Sequence, residues 1–102
     1  MFKIEVSPQA LKDLLEIKSY IEDELKNPIA AKNTILKIIE TYENLATMPD
    51  LGIPVERYVS FPTEYRFVTA NNYSIFYRIE SETVKVIRIL YSRRDFLRIL
   101  FS

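Results

Sequence analysis

The sequence predicts an α+β domain in the order β-α-α-β-β-β with a short C-terminal helix. Its two helices form a hairpin packed on one face of a small, mainly antiparallel sheet. Three observations lead there. Two proline-started stretches, beginning at Ser7-Pro8 and Asn27-Pro28, carry apolar residues at helical spacing. Tyr73–Glu80 and Val84–Tyr91 are β-branched and aromatic nearly throughout, without Gly or Pro. A chain of 102 residues, 48% of them hydrophobic, is large enough for one core and too small for two, so 1–102 is one domain.

Phe2–Val6 alternates apolar and charged residues, as a half-exposed strand does. Ser7 then reads as an N-cap with Pro8 at the first helical position. Ala10, Leu14, Ile17, Ile21 and Leu25 fall on one helical face, widened by Leu11 and Leu15. Lys12, Asp13, Glu16, Glu22, Asp23 and Lys26 read as its solvated side. Asn27-Pro28 repeats the cap, and Ala31, Ile35, Ile38, Tyr42 and Leu45 form the second buried stripe, ended by Met48-Pro49. With so short a link, two helices of about 20 residues and about 30 Å each fold back as an antiparallel pair.

Asp50–Pro62, with Gly52, Pro54 and Pro62, is the one long irregular segment. Glu64–Ala70 reads as a strand, Asn71-Asn72 as a two-residue turn tolerant of positive φ, and Glu80–Thr83 as the second hairpin turn. Both strands of the final hairpin carry apolar residues on both faces, as central strands do. Asp95 can cap a last helix over Phe96–Phe101.

These turns set a register. Pairing Ala70 with Tyr73 and Ile79 with Val84 turns Val68, Ala70, Tyr73, Ile75, Tyr77, Ile79, Val84, Val86 and Leu90 toward the helices, with Arg66 and Arg88 among them. The other face receives Tyr65, Phe67, Phe76, Ile87, Ile89 and Tyr91, with Ser74 and a directly opposed Arg78 and Lys85. Uncovered, such an aromatic and cationic face suits a partner: bases and phosphates, or a peptide. Alternatively the C-terminal helix folds over it.

Composition excludes several chemistries. Without Cys there is no disulfide or thiolate, which fits a reducing compartment. Without His the commonest general base and metal ligand are missing. No Gly-rich phosphate loop or HExxH motif occurs, so no cofactor or metal is expected. The start has no signal-peptide architecture and no run of about 18 apolar residues exists, which points to the cytoplasm.

Formal net charge is zero, but it is unevenly spread. Residues 1–50 hold six lysines against nine acids; residues 51–102 hold eight basic residues against five acids, including all seven arginines. Arg93, Arg94 and Arg98 cluster where the last strand runs out. Arg suits planar phosphate and carboxylate partners, although it also tolerates half-buried sheet positions. Arg88 reads better as scaffold paired to a helix carboxylate.

Taken together, FKIEVSPQALKDL, the proline-started second helix, NNYSIFYRIESETVKVIRIL and LYSRRDFLRILF resemble the RelE/ParE superfamily of bacterial type II toxin–antitoxin toxins over essentially the whole chain. Tyr77–Glu80 and the Ser-Arg-Arg-Asp motif at Ser92–Asp95 are the most specific parts. The resemblance implies a helical hairpin on a small antiparallel sheet and a growth-inhibiting toxin neutralised by a cognate antitoxin. A role in plasmid stabilisation goes with it. RelE-like members cut mRNA on the ribosome with cationic side chains; ParE-like members poison DNA gyrase and lack that set. Aligned with RelE, Tyr65 and Phe67 stand where its strand has lysines, Ser74 at its key arginine, and Leu100 at a functional tyrosine; only Arg94 matches a catalytic arginine. The related YoeB-type site needs a His that is absent here.

The likeness is therefore closer to ParE, implying an interaction protein that acts on DNA gyrase without chemistry of its own. Target contacts are then expected from Arg93, Arg94, Arg98, Arg78 and Tyr65, and antitoxin contacts from Phe67, Phe76, Ile87 and Ile89. The alternative is a ribosome-dependent mRNA endonuclease built from Arg94, Arg78, Lys85 and Tyr91, with Arg66 a further candidate if the register slips by one. A second alternative is an inactive remnant that only binds antitoxin. The resemblance also implies a homodimer or a heterotetramer with antitoxin, no membrane association, and no sequence-specific DNA binding by this chain.

Overall fold

In the computed structural model, which describes residues 1–101, the elements follow the expected order with one addition. They are β1 (Lys3–Val6), α1 (Pro8–Ser19), α2 (Pro28–Glu43), β2 (Ile53–Pro54), β3 (Arg66–Ala70), β4 (Tyr73–Glu80), β5 (Thr83–Tyr91) and α3 (Phe96–Phe101). The short β2 is the addition: it pairs antiparallel with Arg66 and Phe67 and makes a fifth strand. Two residues with Pro at the second position carry no alternation that could have announced it. The order across the sheet is β1-β5-β4-β3-β2, with β1 parallel to β5 and the other pairings antiparallel.

Both helix starts behave as their sequences dictate. Ser7 Oγ accepts from the Ala10 N–H at 3.0 Å and Asn27 Oδ1 from the Ala30 N–H at 3.1 Å, each followed by Pro. α1 loosens into a π-helical turn over Tyr20–Glu24, and Lys26 closes the link at a positive φ of 51°. In the hairpins Asn71 lies at φ 53°, and Ser81 and Glu82 at 46° and 58°, the left-handed pair that a tight two-residue turn needs.

The main core lies between the helices and the sheet. Ala10, Leu14, Ile17 and Ile21 from α1 and its extension meet Ala31, Ile38 and Tyr42 of α2 and Ile75, Tyr77, Val84 and Val86 of the sheet. Leu25, Leu11 and Leu15 do not join it and remain more than half exposed, whereas Asp13 is buried, against the expectation of a solvated position. Ala10, Asp13, Leu14 and Ile17 are spaced i, i+3, i+4, i+7, so Asp13 lies within the stripe and Leu11 and Leu15 fall outside it.

Asp13 is buried because β5 needs it. The expected register holds for Ala70–Tyr73, Val68–Ile75, Arg66–Tyr77, Ile79–Val84 and Tyr77–Val86. Between Phe76 and Tyr77, however, the β4–β5 ladder shifts by a bulge, so Ile75 faces Ile89 where the uninterrupted register predicts Arg88. Ile89 consequently enters the main core and Leu90 the opposite face, the reverse of the expected assignment. On the other side of β5, β1 stops pairing at Val86. Side chains of α1 and its cap then serve the strand: Ser7 Oγ donates to the Ile87 carbonyl at 2.9 Å, and Asp13 Oδ2 accepts the Ile89 N–H at 2.9 Å. Arg88 completes the arrangement, with Nε to Oδ2 at 2.8 Å and Nη2 to Oδ1 at 2.9 Å, and is scaffold. The Asp13 carboxylate raises the Arg88 pKa against the opposing effect of burial, so the guanidinium stays charged.

The far face of the sheet is not bare. Val55, Phe76 and Leu90 form a second cluster, packed by Tyr65, Phe67, Phe96, Ile99 and Leu100. The covering thus comes from the 55–59 segment and from α3. The irregular segment is stapled down by Tyr77, whose OH donates to the Pro49 carbonyl at 2.7 Å and accepts the Gly52 N–H at 2.9 Å. A Cβ on Gly52 would lie 2.5 Å from that hydroxyl and 2.9 Å from the Phe67 carbonyl, which explains the one glycine without any special φ.

Two stability changes follow. Asp13→Ala leaves Arg88 and the Ile89 amide without their partner and should lower the unfolding free energy by about 3–5 kcal/mol in urea titration. Gly52→Ala, which forces Tyr77 or β3 to move, should cost about 1–3 kcal/mol; an unchanged denaturation midpoint would contradict the close packing described.

Candidate functional site at the end of the last strand

Beyond Tyr91 the chain turns sharply and is pinned to the β3–β4 turn. The Ser92 N–H donates to the Asn72 carbonyl at 2.8 Å and the Arg94 N–H to the Tyr91 carbonyl at 2.9 Å. Ser74 Oγ and Ser92 Oγ share a hydrogen bond at 2.9 Å. Arg94 is thereby held between two clefts that lie on opposite sides of the sheet end.

The helix-side cleft, about 610 Å³, is lined by Tyr20 and Glu16 from the helical layer and by Tyr73, Tyr91 and Arg94 from the strand ends. Tyr73 and Tyr91 meet edge-on with ring centroids 5.9 Å apart. Burial, then the nearby Tyr20 and Tyr91 phenols, push the Tyr73 pKa up, so its hydroxyl stays protonated and able to donate. The far-side cleft, about 230 Å³, is lined by Tyr58, Phe67, Phe96 and the hydroxyl-bearing Thr69, Ser74 and Ser92, again with Arg94.

Arg93, Arg94 and Arg98 are exposed, and among the described residues they form no ion pair. Neither Asp95 nor a helix carboxylate holds them as scaffold. Arg78 and Lys85 are placed differently. They face each other as the register requires, and Glu80 bridges both, at 3.3 Å and 3.2 Å, which offsets the like-charge pairing. Lys85 and Tyr91 are six residues apart on one strand, roughly 20 Å. The nuclease set Arg94, Arg78, Lys85 and Tyr91 is therefore divided between the two ends of the sheet. Arg66 is committed to the irregular segment through the Gly52 carbonyl at 2.9 Å.

The aromatic candidates are largely inside. Tyr65 is half-buried against Phe101, with centroids 5.6 Å apart. Phe67 lies between Tyr58 and Phe76, while Phe76 stacks on Phe96 at 5.4 Å and is only 3% exposed. Ile89, expected on a partner-binding face, is in the main core at 1% exposure, moved there by the bulge. Only Phe67 and Ile87 of that expected set keep appreciable surface. Tyr20, Asn72 and Tyr73 on the helix side, and Tyr58, Thr69, Ser92 and Phe96 on the far side, are among the cleft residues that sequence reasoning missed as site residues. Tyr20 carried a signal, a large aromatic outside its helix's buried stripe.

Among the described residues no cluster of three His, Cys, Asp or Glu side chains could hold a metal ion, and no helix is long and apolar enough to cross a membrane.

The fold, a helical hairpin on a five-stranded sheet with a short C-terminal helix, is the RelE/ParE-like fold. The family described as the ParE toxin of the type II toxin–antitoxin system parDE matches residues 4–96, and the chain belongs to that family. No curated protein sequence matches it closely enough to count as a relative. Among solved structures, the chromosomal ParDE toxin–antitoxin system of P. aeruginosa superposes with a TM-score of 0.73 at 21% identity, covering 89% of this chain and 96% of that one. The isolated E. coli RelE toxin follows at a TM-score of 0.54 and 14% identity, over 98% and 94%. The E. coli DinJ–YafQ complex matches at 0.52 and 20% identity, over the full length of both chains. At such identities these likenesses establish the fold.

Proposed function

We propose that this ParE-family toxin arrests growth by binding DNA gyrase, as an interaction protein, and that an antitoxin encoded alongside neutralises it in the cytoplasm. The observation that carries the reading is the state of the cations. Arg94 stands at a cleft edge beside exposed Arg93 and Arg98, all without ion-pair partners among the described residues, whereas Arg78 and Lys85 are bridged by Glu80 at the other end of the sheet. In-line cleavage of RNA needs clustered cations to hold phosphorane charge and groups to move protons. Of the three arginines at the strand end, Arg94 is the one that lines the clefts among the described residues, with hydroxyls and aromatics around it, an arrangement that suits recognition better.

That two of the structural neighbours are antitoxin-containing systems, ParDE and DinJ–YafQ, supports an antitoxin for this chain as well. Its binding segment would order on contact, and Phe67 and Ile87 are the expected residues still able to meet it.

Induction of the chain without antitoxin should produce filamentation and an SOS response, with replication stopping before translation, and the purified protein should inhibit gyrase supercoiling. Supercoiling untouched by excess protein, with cuts inside translated codons by primer extension, would replace this reading with an mRNA endonuclease. Harmless expression would mark an inactive remnant. Arg94→Ala should abolish growth arrest while fold and antitoxin binding persist; a fully toxic variant removes Arg94 from the site.

A further inference from the structure

Arg94 borders two clefts, and only one of them has a charged lining that selects an occupant. On the helix side the guanidinium shares its cleft with Asp13 and Glu16, whereas on the far side it is the sole charged residue of the lining. We infer that the far-side cleft is an oxyanion seat, where a carboxylate of the toxin's protein target pairs with Arg94 and accepts hydrogen bonds from the Thr69 and Ser92 hydroxyls. The inference rests on the reading of this chain as a target-binding toxin and names the group that its site accepts.

Strand register brings these groups together. Thr69 and Ser74 stand opposite each other in the β3–β4 ladder and so share a face of the sheet, and Ser74 Oγ lies 2.9 Å from Ser92 Oγ. A line of hydroxyls therefore runs from β3 across β4 to the turn that carries Arg94. Ser74 is 7% exposed, and its hydroxyl has Ser92 as its partner. A proton sent from Ser74 to Ser92 satisfies the buried group and leaves the Ser92 proton for a ligand. Thr69 is exposed and open to the same ligand. Beside this row the walls are aromatic: Phe67 and Phe76, with centroids 5.7 Å apart, and the more open Tyr58 and Tyr91. Such stiff side chains give contact area to whatever carries the anion at little entropic cost.

The charges select the ligand. The lining offers hydroxyl donors and one positive charge, with no carboxylate to repel an anion. A single guanidinium matches a singly charged group, and its planar fork pairs with a carboxylate through two directional hydrogen bonds. A nucleic-acid strand fits less well, because it brings a phosphate with every nucleotide. Arg93 and Arg98 are not part of the lining, and Asp95, next to Arg94, is an exposed acid without an ion-pair partner among the described residues. At about 230 Å³ the cleft also falls short of the roughly 300 Å³ at which small-molecule sites begin, a size suited to one side chain and its flanking atoms.

Benzoate, a flat carboxylate, is the probe. It is titrated into the full chain at constant ionic strength while the Arg94 Nε–H resonance is followed by NMR, with benzamide as the neutral counterpart and a thymidine dinucleotide as a phosphodiester. Benzoate should shift that resonance saturably and benzamide should not. Thr69→Val removes one hydroxyl at an exposed strand position while keeping the β-branched shape, so the variant should melt within a few degrees of the parent by circular dichroism. It should weaken benzoate binding about tenfold and raise the toxin level needed for growth arrest about tenfold. Leu11→Ala, on the outer side of α1, should change neither. No saturable shift with benzoate, or a Thr69→Val toxin as potent as the parent, overturns the inference. Tighter binding of the dinucleotide than of benzoate would put nucleic acid in the cleft and overturn the carboxylate assignment. Loss of growth arrest in Tyr20→Ala with Thr69→Val unaffected would move the Arg94 contact to the helix side and overturn it as well. If benzoate binds in a Thr69-dependent way and the toxin leaves gyrase supercoiling untouched, the gyrase reading fails while the oxyanion seat stands.

Discussion

A carboxylate buried between a helix and a strand holds this molecule in register. β5 is the spine of the sheet, paired with β1 on one side and β4 on the other, yet β1 ends opposite Val86 and β4 slips by a bulge one residue further on. Left alone, the backbone beyond Val86 would have unpaired groups in a partly buried place. Asp13 and Ser7 take the part of the missing strand, accepting the Ile89 amide and donating to the Ile87 carbonyl. Arg88 neutralises the carboxylate, so the charge is tolerated inside. Which face Ile89 and Leu90 occupy, and therefore where Tyr91 and the following arginines emerge, depends on this one cluster.

From that constraint the two-sided character of the sheet follows. The helical hairpin closes one face, and the 55–59 segment and α3 close most of the other, so the aromatic side chains that would have made an open platform are mainly packed against the chain's own residues. What stays available is the sheet's end. The turn after Tyr91 is tied to Asn72 and Ser74, which gives Arg94 a firm base while its guanidinium is free of internal carboxylates among the described residues. A charge presented from a rigid strand end suits selective recognition, because little ordering remains to be done on binding.

The arginines show how little composition says about role. Arg88 is internal scaffold, Arg66 clamps the Gly52 carbonyl, and Arg78 shares Glu80 with Lys85. Arg93, Arg94 and Arg98 have the same side chain and none of these partners. Membership in the ParE toxin family accords with the fold, and the likeness to the RelE and YafQ structures shows that the scaffold is shared at low sequence identity.

The sequence by itself determined the helices, their caps and prolines, the two hairpin turns, most of the strand register and the bounds of α3. Each depends on residues a few positions apart, where periodicity and backbone preference act directly. It also carried the cluster of arginines and the family likeness. Tertiary structure alone decided the position of β1 beside β5, the two-residue β2, the burial of Asp13 and the exchange of faces between Ile89 and Leu90. The bulge behind that exchange is stabilised by Ser7 and Asp13, more than seventy residues away in the chain, so no local window could contain its cause. The same holds for the cleft: Tyr20, Tyr73 and Arg94 meet only because the helices and the strand ends are folded onto one another.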